Sequence, residues 1–386
     1  MTLDTPQFTI GIEEEYLLVD KATRSLVVNP PKSLLKECKE LLGNQVTNEL
    51  LLSQIEIGTK VCHNVQEAHE DLSKLRKNIV EVTARHGLAP IACSTHPFSR
   101  WSEQEQTPKD RYELLTKEMQ AVARRMLICG MHVHVGINDD ELRIDLMSQL
   151  SYFLPHLLSL SCSSPFWNGE DTGLKSYRLT IFDNLPRTGI PTEFQSFSDY
   201  KRHIEILTNA GVMEDSTKIW WDIRPSAKYP TLETRIMDVC TRIDDAISLA
   251  ALVVSTLRAL YRLRMKNQRW RDYSSMLIRE NRWRAMRYSF DEGLIDFGKG
   301  SIVPFEELLD EFIEISIEDA KILGCDKEVL NTKNILKRSC RPPARRLPHE
   351  GHFLRSPADA AGLHSPRGID PAGLSPGGWL SICGLG

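Results

Sequence analysis

Acidic, histidine and arginine side chains recur at alternating positions in five short segments of this chain. Successive side chains along a β-strand point to opposite faces, so residues of equal parity share a face. In these segments apolar residues occupy one parity, and charged or imidazole residues occupy the other. The segments are 8–18, 54–58, 131–137, 219–224 and 232–239, and their polar parities carry Glu13, Glu15, Glu56, His132, His134, Asp222, Arg224, Glu233 and Arg235.

The composition of these polar faces argues against simple exposure to water. A single alternating strand usually has one solvated face, and solvated faces are commonly rich in Lys, Ser and Thr. Here those residue types are almost absent, and acids and guanidinium groups dominate. Glu14 is the exception because it falls on the apolar parity of its segment. We therefore expect Glu14 to lie at an edge or to pair with a cation.

The acids on these faces are candidate metal ligands. Glu13, Glu15 and Glu56 are hard oxygen donors that would repel one another without a neutralising cation. Mg²⁺ suits such a set because it binds a few carboxylates together with phosphate oxygens and water.

Arginines supply the complementary charge. They could pair bidentately with phosphates or with a substrate carboxylate. The candidates are Arg178, Arg187, Arg224 and Arg235. Arg187 lies in the turn-like run 186–189, which predicts a position on a lid over the site. Acids, a metal ion and arginines together are typical of phosphoryl transfer, in which positioning and charge neutralisation dominate.

The pair His132 and His134 leaves three interpretations open. The histidines could be zinc ligands, a structural hydrogen-bonded pair, or contacts to nucleotide phosphate or a metal-bound substrate. Zinc is the least favoured, since no cysteine is close in sequence and the neighbouring acids prefer a harder ion. Neither a Walker P-loop nor a G-x-G-x-x-G fingerprint is present, so any ATP site would be of another type.

Hydrophobic periodicity predicts four helices that support these strands. They cover 65–86, 141–160, a segment around 197–207 that ends at Gly211, and 244–265. The last is apolar nearly all round at its start, which places it in the core. Its apolar run 246–257 is shorter than the roughly 20 residues of a bilayer span, so we expect no membrane crossing.

Bulk composition narrows the setting. The net charge of −4 gives no indication of a nucleic-acid partner. Nine cysteines without a C-x-x-C pair, and a start without a secretory signal pattern, predict a reducing, cytoplasmic location. We expect one catalytic domain over 1–340. The remaining 341–386 contains seven Pro and eight Gly in 46 residues, which predicts a disordered tail.

Six ordered motifs between about residues 7 and 335 resemble the type 2 glutamate–cysteine ligases, carboxylate–amine ligases related to YbdK. The motifs are GIEEEY (11–16), GMHVHVG (130–136), SSPFW (163–167), WDIRPS (221–226), TLETRIMD (231–238) and NRW (281–283) with RY (287–288). The resemblance implies an α+β, glutamine-synthetase-like fold with a curved, mainly antiparallel sheet flanked by helices and forming an active-site funnel. It also implies ATP and Mg²⁺, with glutamate phosphorylated on its γ-carboxylate and the acyl phosphate captured by an amine.

The resemblance also implies roles for single residues. Glu13 and Glu15 match paired metal-binding glutamates, and Glu49 and Glu56 resemble a second acidic pair. His132 resembles a histidine near metal and nucleotide. The resulting assignment is metal binding by Glu13, Glu15, Glu56 and Glu233, nucleotide binding by His132 and His134, substrate binding by Glu49 and Arg224, and catalysis by Arg178, Arg187 and Arg235.

The expected reaction joins L-glutamate to L-cysteine at the cost of ATP, in an enzyme that forms a homodimer. Two alternatives remain. One is a ligase for a different acid or amine, and the other is a metabolite-binding protein that kept the fold and lost catalysis.

Overall fold

The computed structural model of this chain describes residues 5–339. The segment 341–386, for which the sequence predicts a disordered tail, lies outside the described residues. Within them, twelve α-helices accompany a central sheet. The helices are α1 Lys32–Leu42, α2 Val65–Arg85, α3 Asp110–Met119, α4 Ala121–Arg124, α5 Asp140–Ser151, α6 Leu154–Ser161, α7 Arg178–Phe182, α8 Phe197–Asn209, α9 Ile243–Met265, α10 Ser275–Tyr288, α11 Phe305–Leu323 and α12 Asp326–Ser339.

Seven strands form the central sheet, and every pairing in it is antiparallel. They are β1 Ile10–Asp20, β2 Val46–Asn48, β3 Gln54–Gly58, β4 Leu88–Ile91, β5 Met131–Gly136, β6 Ile223–Pro225 and β7 Thr231–Thr234. Their order is β6-β7-β5-β1-β3-β2, with β4 paired to the last residues of β1. Strand β1 therefore lies at the centre and pairs with three strands. The predicted mainly antiparallel sheet flanked by helices is confirmed.

Three two-stranded ribbons lie outside the central sheet. They are Phe166–Trp167 with Glu170–Asp171, Thr188–Gly189 with Trp220–Trp221, and Leu294–Asp296 with Ser301–Val303. The second ribbon corrects one prediction, because the expected single strand 219–224 is divided between this ribbon and β6. Asp222 lies at the division, where its buried carboxylate accepts a hydrogen bond from Arg282 Nε at 2.6 Å.

The predicted helix 141–160 is also two helices, α5 and α6. Pro155 occupies the first turn of α6, where the missing N–H has no intrahelical partner to lose. Asp139 is the N-cap residue of α5, since its side chain accepts a hydrogen bond from the Leu142 N–H at 2.7 Å. The helix α2 begins at the predicted residue, and its apolar stripe is buried.

The apolar face of the sheet is covered by helices, and α9 is the central one. Helices α2 and α5 pack beside α9, and α11 with α12 cover its outer side. In the described part of the chain, α9 alone is long and apolar enough for a bilayer span, but 83% of its most apolar stretch is buried inside the protein. That burial is typical of the core helix of a globular protein.

Glu14 lies on this apolar face and pairs with a cation, as its parity predicts. Its carboxylate is fully buried and receives two hydrogen bonds from Arg76 of α2, Nε to Oε2 at 2.9 Å and Nη2 to Oε1 at 2.6 Å. The Tyr16 hydroxyl donates a further hydrogen bond to the same carboxylate. Arg76 also donates to the Cys240 carbonyl at 2.8 Å, so the pair joins β1, α2 and the segment after β7.

Replacing Arg76 with Met should destabilise the protein by about 3–5 kcal/mol, because it leaves the Glu14 carboxylate buried without a counter-charge. Arg85→Met is the matched control, since Arg85 is largely exposed and forms a long ion pair with Glu37, 3.8 Å between Nη1 and Oε2. This substitution should change stability by less than about 1 kcal/mol. Chemical denaturation of both variants measures the difference. Equal stabilities would contradict the assigned role of the Arg76 pair.

Candidate active site

The pairing of β1 with its neighbours brings the predicted acids together on the polar face of the sheet. Glu15 on β1 lies opposite Glu56 on β3, and Glu13 on β1 lies opposite His132 on β5. Strand alternation sends all four side chains to the same face. This arrangement could not be deduced from parity alone, because parity does not specify which strands are neighbours.

The register of β5, β6 and β7 completes the face. Glu233 on β7 lies opposite His134 on one side and opposite Arg224 on the other. Gly11 on β1 is the next position in this row, opposite His134. A Cβ at Gly11 would lie 3.6 Å from the His134 Cβ, so the glycine leaves the imidazole close to the backbone of β1.

Glu15, Glu49 and Glu56 form the first of two groups that could hold a metal ion, and we call it the acid-rich group. One carboxylate oxygen from each lies within 4.8 Å of the others. Glu49 follows β2 in a loop, and its position is held by the Thr107 hydroxyl, which donates to the Glu49 carbonyl at 2.6 Å. The Gly130 N–H donates to Glu15 Oε2 at 2.7 Å. Three carboxylates and no basic ligand make this group suited to a hard divalent cation.

Glu13, His134 and Glu233 form the second group, which we call the mixed group. His134 Nε2 lies 3.4 Å from Glu13 Oε1, and its Nδ1 lies 3.0 Å from the Thr231 hydroxyl. The imidazole is nearly buried, and Nε2 has no hydrogen-bond partner among the described residues. An unpartnered ring nitrogen between two carboxylates is a favourable ligand position for a cation.

His132 has a different place from His134. Its Nδ1 lies 3.2 Å from Glu13 Oε2 and 3.5 Å from Arg235 Nη1. Neither metal-binding group of the described residues combines the two histidines. The geometry therefore gives no support to a zinc site that uses both, and His132 orients the Glu13 carboxylate from beside the mixed group.

Two arginines converge on Glu233. Arg224 Nε donates to Glu233 Oε2 at 2.9 Å, and Arg235 Nη1 donates to Glu233 Oε1. Arg224 also donates from Nη1 to the carbonyls of Thr217 and Ile219, so most of its donors are used within the protein. Arg235 keeps a buried Nε without a partner among the described residues, which leaves it a donor for a bound anion.

Arg178 is the first residue of α7 and is almost fully buried. Its guanidinium donates to the carbonyls of Ile236 at 3.2 Å and Arg235 at 3.0 Å. It approaches Gly130 so closely that a Cβ there would lie 2.4 Å from Arg178 Nη2. The guanidinium of Arg178 is engaged by backbone carbonyls. Arg178 therefore acts on Glu15 through its positive charge and by fixing the nearby backbone.

Arg187 is separate from this network. It directly precedes the ribbon strand Thr188–Gly189, and its guanidinium stacks over Trp220 at 5.6 Å while its Nε donates to the Lys218 carbonyl at 2.9 Å. Its backbone has a φ of 59°, a left-handed conformation that is uncommon for residues other than glycine. The structure shows Arg187 beside a separate ribbon that is joined to Arg224 through the segment 217–219.

Two carboxyl groups of the acid-rich group, those of Glu15 and Glu56, have raised pKa values. Burial and the neighbouring Glu49 charge raise the pKa of Glu15 to about 7, against the opposing effects of Arg178 and the Gly130 N–H. Burial and Glu49 also raise the pKa of Glu56 well above its ordinary value. Protons and a divalent cation compete for such carboxylates, so a cation bound there would displace these protons.

The mixed group behaves in the opposite way. Burial alone would raise the pKa of Glu13, but the hydrogen bond from His132 and the proximity of the His134 imidazole outweigh it and lower the pKa. Burial also opposes ionisation of Glu233, and the charges of Arg235 and Arg224 outweigh it and lower that pKa. Burial lowers the pKa of His132 to about 4, with Arg235 contributing, so this imidazole is neutral near pH 7.

The donor sets of both groups fit Mg²⁺. Each offers two or three carboxylates from different strands or loops, which leaves coordination positions for water and phosphate oxygens. The orphan Nε2 of His134 and the proton-retaining carboxylates of Glu15 and Glu56 are the observations that support a cation here.

Comparison with known proteins gives a consistent result. The family model described as glutamate–cysteine ligase family 2 matches residues 9–350. A protein of Rhodospirillum rubrum is 58% identical over 337 residues, covering 86% of this chain and 87% of its own length. A protein of Jannaschia sp. is 53% identical over 334 residues, covering 86% and 88%. Both carry the name glutamate–cysteine ligase 2 as a provisional one.

Two solved structures share the fold at low sequence identity. The glutamate–cysteine ligase of Francisella tularensis, crystallised with AMP, has a TM-score of 0.63 at 14% identity and covers 87% of this chain and 83% of its own. A bifunctional glutathione synthetase of Pasteurella multocida has a TM-score of 0.64 at 15% identity, covering 86% of this chain and 48% of its own. The matched family model and the relatives of the same length show that this chain belongs to the glutamate–cysteine ligase family 2.

Proposed function

We propose that this protein is an ATP-dependent ligase that joins the γ-carboxylate of L-glutamate to the amine of L-cysteine through an acyl phosphate. One observation carries the proposal: the acid-rich group and the mixed group lie side by side on the polar face of the sheet, with cationic side chains at one end, in a member of this family. The AMP bound to the Francisella tularensis enzyme of the same fold supports a nucleotide as one ligand. The free state of all seven described cysteines supports the cytoplasmic location that we propose with it.

The proposal assigns Mg²⁺ to both groups. Glu15, Glu49 and Glu56 would hold one ion, so Glu49 serves as a metal ligand beside its predicted role near the substrate. The mixed group would hold a second ion. Bound Mg²⁺ would neutralise phosphate charge and orient the oxygens of the nucleotide.

The reaction would proceed in two displacements. An oxygen of the γ-carboxylate attacks the terminal phosphorus of ATP, and the bond between that phosphorus and the ADP oxygen breaks. The amine nitrogen then attacks the acyl carbon, phosphate departs with the carboxylate oxygen, and the amine proton passes to solvent. Arg235, whose Nε has no partner among the described residues, and Arg187, whose Nε donates to the Lys218 carbonyl, would donate to phosphate oxygens as charge develops. Neutral His132 would hold Glu13 in place.

Release of ADP in the presence of Mg²⁺ and L-glutamate, measured with and without L-cysteine, tests the substrates. We expect cysteine-dependent ADP release, matched by an equal amount of γ-glutamylcysteine. ADP release that depends on another amine would replace cysteine and retain the ligase. No ADP release with any acid and amine, together with binding of one of them, would favour a metabolite-binding protein.

Glu15→Gln should reduce ADP release by more than about 100-fold, because it removes one charged ligand while preserving the size of the side chain. Glu81→Gln is the matched control, since Glu81 is exposed on α2 and its removal should leave turnover unchanged. Circular dichroism checks that both variants are folded. Undiminished turnover in Glu15→Gln would contradict its assignment as a metal ligand.

Without Mg²⁺, the stability of the protein should fall as the pH rises from about 6.5 to about 8. Below about 6.5 the buried imidazoles of His96, His132 and His156, whose pKa burial lowers to about 4, act in the opposite direction. Between its ordinary value of 4.5 and its folded value of about 7, Glu15 binds a proton in the folded state that the unfolded chain releases. His134 acts in the same direction, because Glu13 and Glu233 outweigh burial and raise its pKa. The lowered pKa values of Glu13 and Glu233 act at more acidic pH.

Thermal unfolding over this range, with EDTA or with Mg²⁺, measures the effect. Mg²⁺ should flatten the profile, and Glu15→Gln should flatten the EDTA profile relative to the unmutated protein. A metal-free profile that rises with pH would contradict the assigned protonation of the acid-rich group.

A further inference from the structure

One exposed aromatic side chain lies beside the mixed group. Tyr229 is 59% exposed, and among the described residues the only other comparably exposed large aromatic is Trp283 on α10. The Tyr229 ring lies 6.5 Å from the His134 ring in an edge-to-face arrangement, with an interplanar angle of 86°. A large apolar ring that remains in water next to a polar site is a candidate ligand contact.

The loop that carries Tyr229 is held in place. It covers 226–230, between β6 and β7, and the Ser226 hydroxyl accepts the N–H groups of Lys228 and Tyr229 at 3.4 Å each. The Tyr229 carbonyl accepts the Thr231 N–H at 2.7 Å, and the Pro230 carbonyl accepts the Ile137 N–H at 2.9 Å. The ring is thus presented by an ordered turn, which lowers the entropy that ligand binding would cost.

The charges of the site indicate which ligand approaches this loop. Arg224, Arg235 and two histidines surround the carboxylates of the mixed group. The acid-rich group has no comparable set, because Arg178, the arginine whose charge acts most on Glu15, is buried and donates to the backbone carbonyls of Ile236 and Arg235. A polyphosphate is therefore better placed at the mixed group, and whatever is attached to the polyphosphate can reach Tyr229.

We propose that Tyr229 stacks against the purine base of the nucleoside triphosphate. This inference rests on the proposed function and adds a binding residue to it. Among the three substrates, only the nucleotide has a planar aromatic face, since glutamate and cysteine have none. Stacking of a base on an aromatic side chain contributes about 1–3 kcal/mol per base.

Calorimetric titration of MgATP and of magnesium tripolyphosphate into the protein tests the proposal without relying on turnover. Tyr229→Ala should weaken MgATP binding by about 10-fold and leave tripolyphosphate binding unchanged, because tripolyphosphate has no base. Tyr229→Phe, which keeps the ring, should bind MgATP like the unmutated protein. Trp283→Ala is the matched control and should bind both ligands normally, since Trp283 is exposed on α10 and belongs to neither metal-binding group.

Three outcomes would overturn the inference. Unchanged MgATP affinity in Tyr229→Ala would show that the ring does not contact the base. Equal weakening of both ligands would show that Tyr229 supports His134 and has no role in base binding. Failure of the unmutated protein to bind MgATP would overturn the proposed function and the inference together, whereas the first two outcomes leave the ligase proposal intact.

Discussion

Repulsion between carboxylates on one face of the sheet is the constraint on which the rest of this structure depends. Five glutamates lie together there, of which Glu233 is buried and the others, Glu13, Glu15, Glu49 and Glu56, are half-buried. Charged carboxylates in such surroundings are unfavourable unless cations, protons or hydrogen-bond donors compensate them. The protein uses all three kinds of compensation. Arginines and histidines serve the mixed group, and bound protons serve the acid-rich group when no cation is present.

The consecutive glutamates of β1 show two solutions to the same problem. Glu14 points to the helical side and is paired by Arg76 and Tyr16, so its charge is compensated within the protein. Glu13 and Glu15 point to the other side, where their compensation is incomplete without a ligand. One strand thus separates a structural charge from two functional charges, because alternation sends neighbouring residues to opposite faces.

The site therefore has a direction across the sheet. The edge formed by β6 and β7 carries the arginines, and the edge formed by β2 and β3 carries the uncompensated acids. Gly130 contributes to the join between them, since its N–H donates to Glu15 and the absence of a side chain admits Arg178. An anionic ligand and an acidic substrate placed along this direction would meet where Glu13 and Glu15 alternate along β1.

Much of the site could be predicted from the sequence, because strand alternation is a local property of the backbone. It assigned Glu13, Glu15, Glu56 and Glu233 to one face and Glu14 to the other, and the motifs identified the family. The helix α2 followed from its local periodicity in the same way.

The tertiary structure decided which of these side chains meet and which donors remain free. Register between strands up to a hundred residues apart placed His134 in the mixed group and His132 beside that group. The tertiary structure also engages most donors of Arg224, with Glu233 and with the carbonyls of Thr217 and Ile219. It divides the expected strand 219–224 at Asp222. No local pattern contains this information, because the partners of a strand, and the carbonyls and carboxylates that saturate an arginine, come from distant segments of the chain.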